Sequence, residues 1–235
     1  MDPWRRVFFR KLPLVPVALA GLASCSDRTS SDHAPVARSP AQPYAPTFFT
    51  TAEWEFLVAA CNRLIPADEH GPSAMECGVP EFIDRHMNTP YAAGEIWYMQ
   101  GPFLEAPRQF GYQGRLAPRD ILRVGIRAMD TACASANDGK RFAQINSTRQ
   151  DELLQDAESG KLSLGEIGAK VFFDQLLAET RYGYFADPMY GGNRDMSAWK
   201  MIGYPGMRAD YTDWVAVRDQ PYPLPPVDLS GQRGA

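Results

Sequence analysis

Apolar residues along this chain recur mostly at the spacing of a helix. The first helical stretch opens with Thr50-Thr-Ala-Glu53, a capping box with Thr50 as the N-cap and Glu53 at the third helical position. The apolar positions that follow share one helical face: Trp54, Leu57, Val58, Cys61, Leu64 and Ile65. Pro66 cannot continue a helix, so the pattern predicts a helix that ends just before it.

Two prolines mark the starts of further helices. Pro80 and Pro118 each suit the first helical turn, where a missing N–H costs nothing. The stripe after the second proline comprises Leu122, Ile126, Met129 and Cys133. Residues 91–100 favour one or two more helical turns, and residues 103–117 are predicted to be irregular.

Two more helices are predicted in the second half of the chain. One begins near Thr148, and the other follows Ser163-Leu-Gly-Glu166, which has the form of a second capping box. The second of these helices is predicted to end at Gly183. Because no run alternates apolar and polar residues between hairpin turns, the sequence predicts an all-α fold, an irregular helical domain with long loops.

Composition divides the chain into four parts. Residues 1–25 are predicted to be an export signal and residues 26–46 a disordered, Pro-rich linker. Residues 47–215 form the helical domain, and residues 216–235 form an extended, Pro-rich tail. Within the domain, residues 181–206 are dense in Tyr, Trp, Met, Gly and Pro and have no steady period; we call them the aromatic block. Its rings must be covered by the chain's own core or by a partner.

The first 25 residues combine a basic start with a short apolar run. The run from Leu12 to Ala23 is too short to span a bilayer. Paired arginines followed by two phenylalanines favour a twin-arginine signal: Arg5, Arg6, Phe8 and Phe9. A general secretory signal is the alternative.

The apolar run ends in Leu22-Ala-Ser-Cys25, which is similar to a bacterial lipobox. In such a motif the cysteine thiol is lipidated and becomes the mature N-terminus. Cys25 is therefore a candidate lipidation site. Cleavage by the ordinary signal peptidase near Ala23, with Cys25 incidental, is the alternative.

The three cysteines of the domain allow one internal bridge. Cys61 and Cys77 bracket a Pro/Gly-rich loop, and a disulfide between them would close about 15 residues, worth roughly 3 kcal/mol in the chain-entropy model. A free pair is the alternative. Cys133 lies on an apolar stripe, which favours a buried thiol, and an intermolecular bridge is its alternative.

Charge and motifs argue against several classes of function. A net charge of −4 and a pI near 5.4 argue against a nucleic-acid binder. The three histidines show no metal-ligand spacing, and no phosphate-binding glycine motif or nucleophile elbow occurs. The sequence therefore assigns no catalytic, cofactor-binding or metal-binding residue. A stand-alone periplasmic lipoprotein that binds a sugar in the aromatic block is the alternative to a partner-binding protein.

Several segments together resemble one known family. They are Phe49 to Trp54, Leu64 to Asp68, Gly78 to Ile83, Gly183 to Asn193 and Trp199 to Gly206. They look like the small (gamma) subunit of gluconate 2-dehydrogenase, a family that also serves membrane-bound flavin dehydrogenases of other sugars. The resemblance covers roughly Phe48 to Trp214.

The resemblance implies a non-catalytic subunit of a complex on the periplasmic side of the bacterial inner membrane. Such a subunit binds a large FAD-containing dehydrogenase and escorts it through the twin-arginine translocase, while a multi-haem cytochrome c subunit passes on the electrons. FAD and haem c are then expected in the partners and no cofactor here, with the membrane reached through a partner or a lipid anchor. The substrate is chosen in the large subunit. The expected partner anchors lie in the aromatic block: Tyr184, Asp187, Tyr190, Trp199 and Tyr204.

Overall fold

A computed structural model describes residues 44–104 and 106–234, which belong to one compact unit. The described residues form six α-helices: α1 Thr51–Leu64, α2 Val79–His86, α3 Pro118–Ala136, α4 Ser147–Glu158, α5 Ala169–Phe185 and α6 Ser197–Met201. Two strands of two residues each, β1 Ser163–Leu164 and β2 Ile167–Gly168, pair antiparallel. The all-α prediction with long loops is confirmed.

Helix α5 lies at the centre, with α2, α3 and α4 packed around it and α1 closing the bundle. Phe172 of α5 is completely buried, and its ring lies 6.0 Å from that of Phe56 in α1. Phe142, from the short turn before α4, packs on Phe56 at 4.6 Å. The stripe predicted for α3 is buried in the same core. We call these packed helices, α1 to α5, the frame; the loops and the aromatic block connect to it.

The predicted helix starts are confirmed where a cap or a proline marks them. In α1 the Thr50 hydroxyl accepts from the Glu53 N–H, and the Glu53 carboxylate accepts from the Thr50 N–H. Pro80 and Pro118 both lie in the first turns of their helices. Local chemistry alone sets these boundaries.

Asp84, in the last turn of α2, fixes the point at which the chain enters the frame. Its buried carboxylate accepts five hydrogen bonds, from the Tyr44 hydroxyl, the Thr47 N–H and hydroxyl, and the N–H groups of Phe48 and Phe49. Burial alone would raise the pKa of Asp84, but these bonds outweigh it and hold the pKa below the ordinary 3.8. A single carboxylate thus organises residues 44–49.

The second predicted capping box is wrong. Ser163 to Glu166 form a tight hairpin, with Ser163 paired to Gly168 and Leu164 to Ile167. Gly165 has a φ of 68° at the first position of the two-residue turn, where such hairpins favour glycine. Helix α5 begins only at Ala169.

Helix α5 also runs two residues past its predicted end at Gly183, because this glycine serves packing. A Cβ on Gly183 would lie 2.8 Å from the Phe82 ring and 3.1 Å from Val79 of α2. Residues 91–100 differ from prediction as well, since they form successive turns and no α-helix.

The predicted bridge between Cys61 and Cys77 is not formed, and both are buried free thiols. The Cys61 sulfur lies 3.8 Å from the Thr180 hydroxyl of α5. Burial raises the pKa of Cys61 to about 12 and that of Cys77 to about 11. Cys133 is a buried free thiol too, as the first of its two interpretations predicted. All three serve as core side chains.

Candidate functional site

The aromatic block begins inside α5 and continues through two short 3-10 turns into α6. It is tied to the frame at several points. The Tyr184 hydroxyl donates to the Pro72 carbonyl at 2.7 Å, and the Arg194 N–H donates to the Cys77 carbonyl at 3.2 Å. The Arg194 guanidinium also pairs with Glu81 of α2. These contacts give an irregular segment a fixed position.

A left-handed turn at the centre of the block is held by one asparagine. Asn193, Asp195 and Met196 all have φ between 44° and 55°, a conformation that costs about 1–2 kcal/mol per non-glycine residue. The buried Asn193 side chain donates to the Ala186 carbonyl at 3.0 Å and accepts from the Ala198 N–H at 2.9 Å. Strain of this kind persists only where the surroundings fix it, and it is concentrated at functional sites.

The structure separates the five residues that the sequence predicted as partner anchors. Tyr184 and Trp199 are each 3% exposed and Asp187 is 6% exposed, so all three belong to the protein's own interior. Tyr190 and Tyr204 are 53% and 37% exposed. Of the five, only these last two have substantially exposed rings.

The buried members support the exposed ones. The Trp199 Nε1–H donates to the Phe185 carbonyl at 2.9 Å, and the Trp199 ring meets the Tyr204 ring edge-on at 5.1 Å. Tyr184 packs edge-on against Phe185 at 5.1 Å. Burial raises the pKa of Tyr184, so its hydroxyl stays a neutral donor. The interior rings therefore hold Phe185 and Tyr204 in place at the surface.

Asp187 joins the block to the C-terminal tail. Its carboxylate accepts from the Met189 N–H at 3.0 Å, which caps the first 3-10 turn, and from the Leu229 N–H at 2.8 Å. Val227 extends this junction by bridging to Gly206. The Pro-rich tail contains no helix in its described part and lies back against the block.

Between the block and the tail lies a shallow groove of 440 Å³. Its lining is almost wholly apolar: Phe185, Asp187, Tyr190, Trp199, Ile202, Tyr204, Met207 and Leu229. Ile202 and Leu229 are more than half exposed, at 55% and 54%. We call this the groove; it is an apolar concave surface built from two segments far apart in sequence.

A second exposed surface was missed by the sequence reasoning, which treated its residues only as turns and irregular chain. Residues 96–112, here called the apolar loop, expose seven large side chains: Ile96, Trp97, Tyr98, Phe103, Leu104, Phe110 and Tyr112. A signal was present, because residues 96–104 include five large aromatic or aliphatic side chains beside Met and no charged residue. An uncharged run in a loop lacks the usual reason to face water.

No group of three or more His, Cys, Asp or Glu among the described residues could hold a metal ion. His70 is exposed, whereas His86 Nδ1 lies 2.7 Å from the fully buried Glu179 carboxylate. Gln175 donates to the other oxygen of Glu179 at 2.9 Å. This pair lies in the frame beneath Tyr91, whose ring stacks on His86 at 4.8 Å.

The predicted export and lipidation residues lie outside the described part of the chain: Arg5, Arg6, Phe8, Phe9 and Cys25. Within that part, no helix combines the length and the apolar character that crossing a membrane requires.

Comparison with known proteins gives one match. The family model described as gluconate 2-dehydrogenase subunit 3 matches residues 51–206, which include α1 to α6, the apolar loop and the whole aromatic block. No curated protein and no solved structure matches the chain. The matched range covers well over half of the 235 residues. The chain therefore belongs to the gluconate 2-dehydrogenase subunit 3 family and is a subunit of an oxidoreductase complex.

Proposed function

We propose that this chain is the non-catalytic small subunit of a periplasmic, membrane-bound flavin-cytochrome dehydrogenase. The complex would be of the gluconate 2-dehydrogenase type and would oxidise D-gluconate or a related sugar or polyol. FAD belongs to the large subunit and haem c to a cytochrome subunit. This chain stabilises the large subunit and escorts it through twin-arginine export.

One observation carries the proposal. The groove exposes apolar side chains on a block that buried rings, Asn193 and Asp187 hold rigid. A pre-organised surface loses little entropy when a partner binds, because its side chains are already ordered. Aromatic side chains such as Tyr190 and Tyr204, surrounded by aliphatic ones, are the usual composition of the centre of a protein interface. Membership of a subunit family supports assembly with other subunits of an oxidoreductase complex.

Export is tested in cells that make the tagged large subunit together with this chain. Deletion of residues 1–25 should leave the large subunit in the cytoplasm, measured by fractionation and by its flavin absorbance. Arg5→Lys/Arg6→Lys keeps the basic charge and should stop export if the signal is of the twin-arginine type, but not if it is a general secretory signal. Export of the large subunit in cells without this chain contradicts the escort function.

Lipidation is tested separately with Cys25→Ser. Loss of incorporated fatty acid, with the large subunit still exported, is expected if the lipobox is used. Unchanged fatty-acid labelling would show that Cys25 is not the modified residue.

A further inference from the structure

Exposed apolar side chains are distributed very unevenly over the described residues. Between residues 44 and 95 and between residues 113 and 181, no large apolar side chain is exposed. All of those that are exposed lie in the apolar loop or between Tyr182 and Leu229. The frame is thus covered like the surface of an ordinary soluble domain, whereas two separate segments are not.

The two segments are connected across the surface by α5. Trp97 of the apolar loop packs on Tyr91 with ring centroids 5.2 Å apart. Tyr91 in turn has the Tyr182 hydroxyl of α5 as a hydrogen-bond partner, and burial together with the nearby Glu179 carboxylate and this hydroxyl raises the pKa of Tyr91 to about 12. Tyr182 and Phe185 follow one turn apart on α5, are 50% and 42% exposed, and Phe185 lines the groove. One aromatic face therefore runs from the apolar loop to the groove.

The apolar loop encloses a pocket of 660 Å³, lined by Tyr91, Trp97, Tyr98, Phe103, Phe110 and Tyr112 among others. None of the described residues that line it carries a charge. These described residues therefore offer no counter-charge to a phosphate, a carboxylate or an ammonium group. Its chemistry fits an uncharged, largely apolar occupant.

One amide at the wall of this pocket adds a directional requirement. Gln175 gives an N–H of its amide to Glu179, which fixes the amide so that its nitrogen faces the carboxylate. Within the described part of the chain, no donor meets the amide oxygen of Gln175. The pocket thus combines apolar walls with a hydrogen-bond acceptor, which matches a peptide segment carrying apolar side chains and a backbone N–H.

Size favours a contact that uses both surfaces. Eight residues line the groove, whereas a stable protein interface takes about 20–30 residues on each side. The pocket of the apolar loop adds eighteen. Some of these residues, such as Ile121 and Trp199, are buried, but the two surfaces joined by α5 together come closer to that size than either does alone.

We infer that the apolar loop is the second half of the contact with the FAD-bearing subunit, and that its pocket receives an uncharged apolar segment protruding from that subunit. This rests on the proposed function, in which the groove forms the first half. The contact would then wrap around α5, with Tyr182 and Phe185 at its middle.

The test uses the tagged full chain and the subunit that co-purifies with it, identified as a flavin dehydrogenase by its mass and flavin absorbance. The variant Tyr98→Ser/Leu104→Ser/Phe110→Ser removes three side chains that are 83%, 70% and 69% exposed. Its Kd for the flavoprotein should rise at least about 30-fold, the effect of losing interface anchors. The matched control Gln155→Ser/Glu158→Ser, on the exposed side of α4, should leave the Kd unchanged. The thermal unfolding midpoint of both variants should equal that of the wild type.

Hydrogen exchange gives a readout that needs no substitution. Amides of residues 96–112 should gain protection in the complex with the flavoprotein, while exposed amides around Gln155 should not. An unprotected loop, or a triple variant that binds the flavoprotein like wild type, overturns the inference and leaves the proposed function standing. A wild-type chain that holds no flavoprotein overturns the proposed function itself.

Two other binding partners of the apolar loop, a membrane and a second copy of this chain, would give different results in these experiments. If the triple variant keeps the flavoprotein but loses binding to phosphatidylethanolamine/phosphatidylglycerol vesicles, the loop is a membrane contact and the inference is wrong. If it instead converts a dimer of this chain into a monomer, measured by light scattering, the loop binds a second copy and the inference is equally wrong.

Discussion

The helical frame and the aromatic block use their large side chains in opposite ways. In α1, α3, α4 and residues 169–181 of α5, rings such as Phe56 and Phe172 are fully buried and no large apolar side chain is exposed. In the block, Trp199 and Tyr184 are just as buried, yet their neighbours Tyr190 and Ile202 are more than half exposed. Interior packing in the frame stabilises the fold, whereas interior packing in the block also positions a surface. Substitutions can therefore separate stability from partner binding.

The largest effect is expected from Trp199→Ala. Trp199 is 3% exposed and fixes Tyr204 and the Phe185 carbonyl. Its loss should lower the free energy of unfolding by about 4 kcal/mol, as for other buried Trp and Phe side chains. Urea denaturation of the isolated chain measures this. Trp199→Phe, which keeps a ring, should cost clearly less. If Trp199→Ala leaves the free energy of unfolding unchanged but abolishes partner binding, Trp199 is a surface anchor and not a core residue.

The next effect comes from the frame itself. Asp84→Ala leaves the donors of Tyr44 to Phe49 without their buried acceptor and should lower the free energy of unfolding by about 3 kcal/mol. Asp174→Ala, which breaks an exposed pair with Lys170, is the matched control and should cost under about 0.5 kcal/mol. Equal losses in the two variants would show that the Asp84 cluster is not a special support.

A pH titration sharpens the same point without removing the side chain. The pKa of Asp84 is lower in the folded protein than the ordinary 3.8. The folded state therefore binds fewer protons than the unfolded state, and the stability from Asp84 is complete above the unfolded value. It is lost as the pH falls toward the folded value. Unfolding free energies below pH 4 should fall less steeply for Asp84→Asn than for wild type; equal slopes would contradict this assignment.

Binding should respond at the surface of the block with stability intact. Tyr190→Ala should weaken the flavoprotein complex by about 2 kcal/mol, roughly 30-fold in Kd, and change unfolding by less than about 0.5 kcal/mol. Calorimetric titration and thermal unfolding measure the two quantities. Tyr190→Phe keeps the ring and should bind nearly as well as wild type. If Tyr190→Ala lowers stability as far as Trp199→Ala does, the division between support and surface is wrong.

The smallest effect is expected on the polar outside of the frame. Arg63 makes two hydrogen bonds of 2.7 Å to Asp151, and both side chains are partly exposed. Solvent screens such a pair, so Arg63→Ala should cost about 0.5 kcal/mol in unfolding and nothing in partner affinity. A loss as large as that of Asp84→Ala would show that the frame depends on its surface pairs.

Sequence reasoning succeeded where the signal is local. The Thr50–Glu53 box and the prolines at 80 and 118 act on the backbone beside them, and the helices start where expected. Ser163 to Glu166 match the residue pattern of a capping box but form a hairpin, because Leu164 and Ile167 become buried against the core when they pair as strands. Tertiary burial decided between two local options of similar energy.

The candidate site was predictable only in part. The aromatic block was identified from composition, yet composition cannot say which rings point inward. Tyr184 and Trp199 can be buried because the Pro72 and Phe185 carbonyls accept hydrogen bonds from their polar groups. These carbonyls lie 112 and 14 residues away in sequence, so no local pattern indicates them. The contact between Asp187 and Leu229 spans 42 residues and has no local signal. The apolar loop lacks periodicity, so the only signal for a surface was the uncharged run of residues 96–104.

The hydrogen bonds that the Asp84 carboxylate accepts also determine how residues 44–49 resist a pulling force. A force that acts on the chain before Tyr44 is transmitted to the helical frame through the Asp84 carboxylate, in the last turn of α2. The bonds from Tyr44, Thr47, Phe48 and Phe49 share that force, which protects the start of α1. Removal of the residues before Tyr44 would therefore leave these bonds and the aromatic face unchanged.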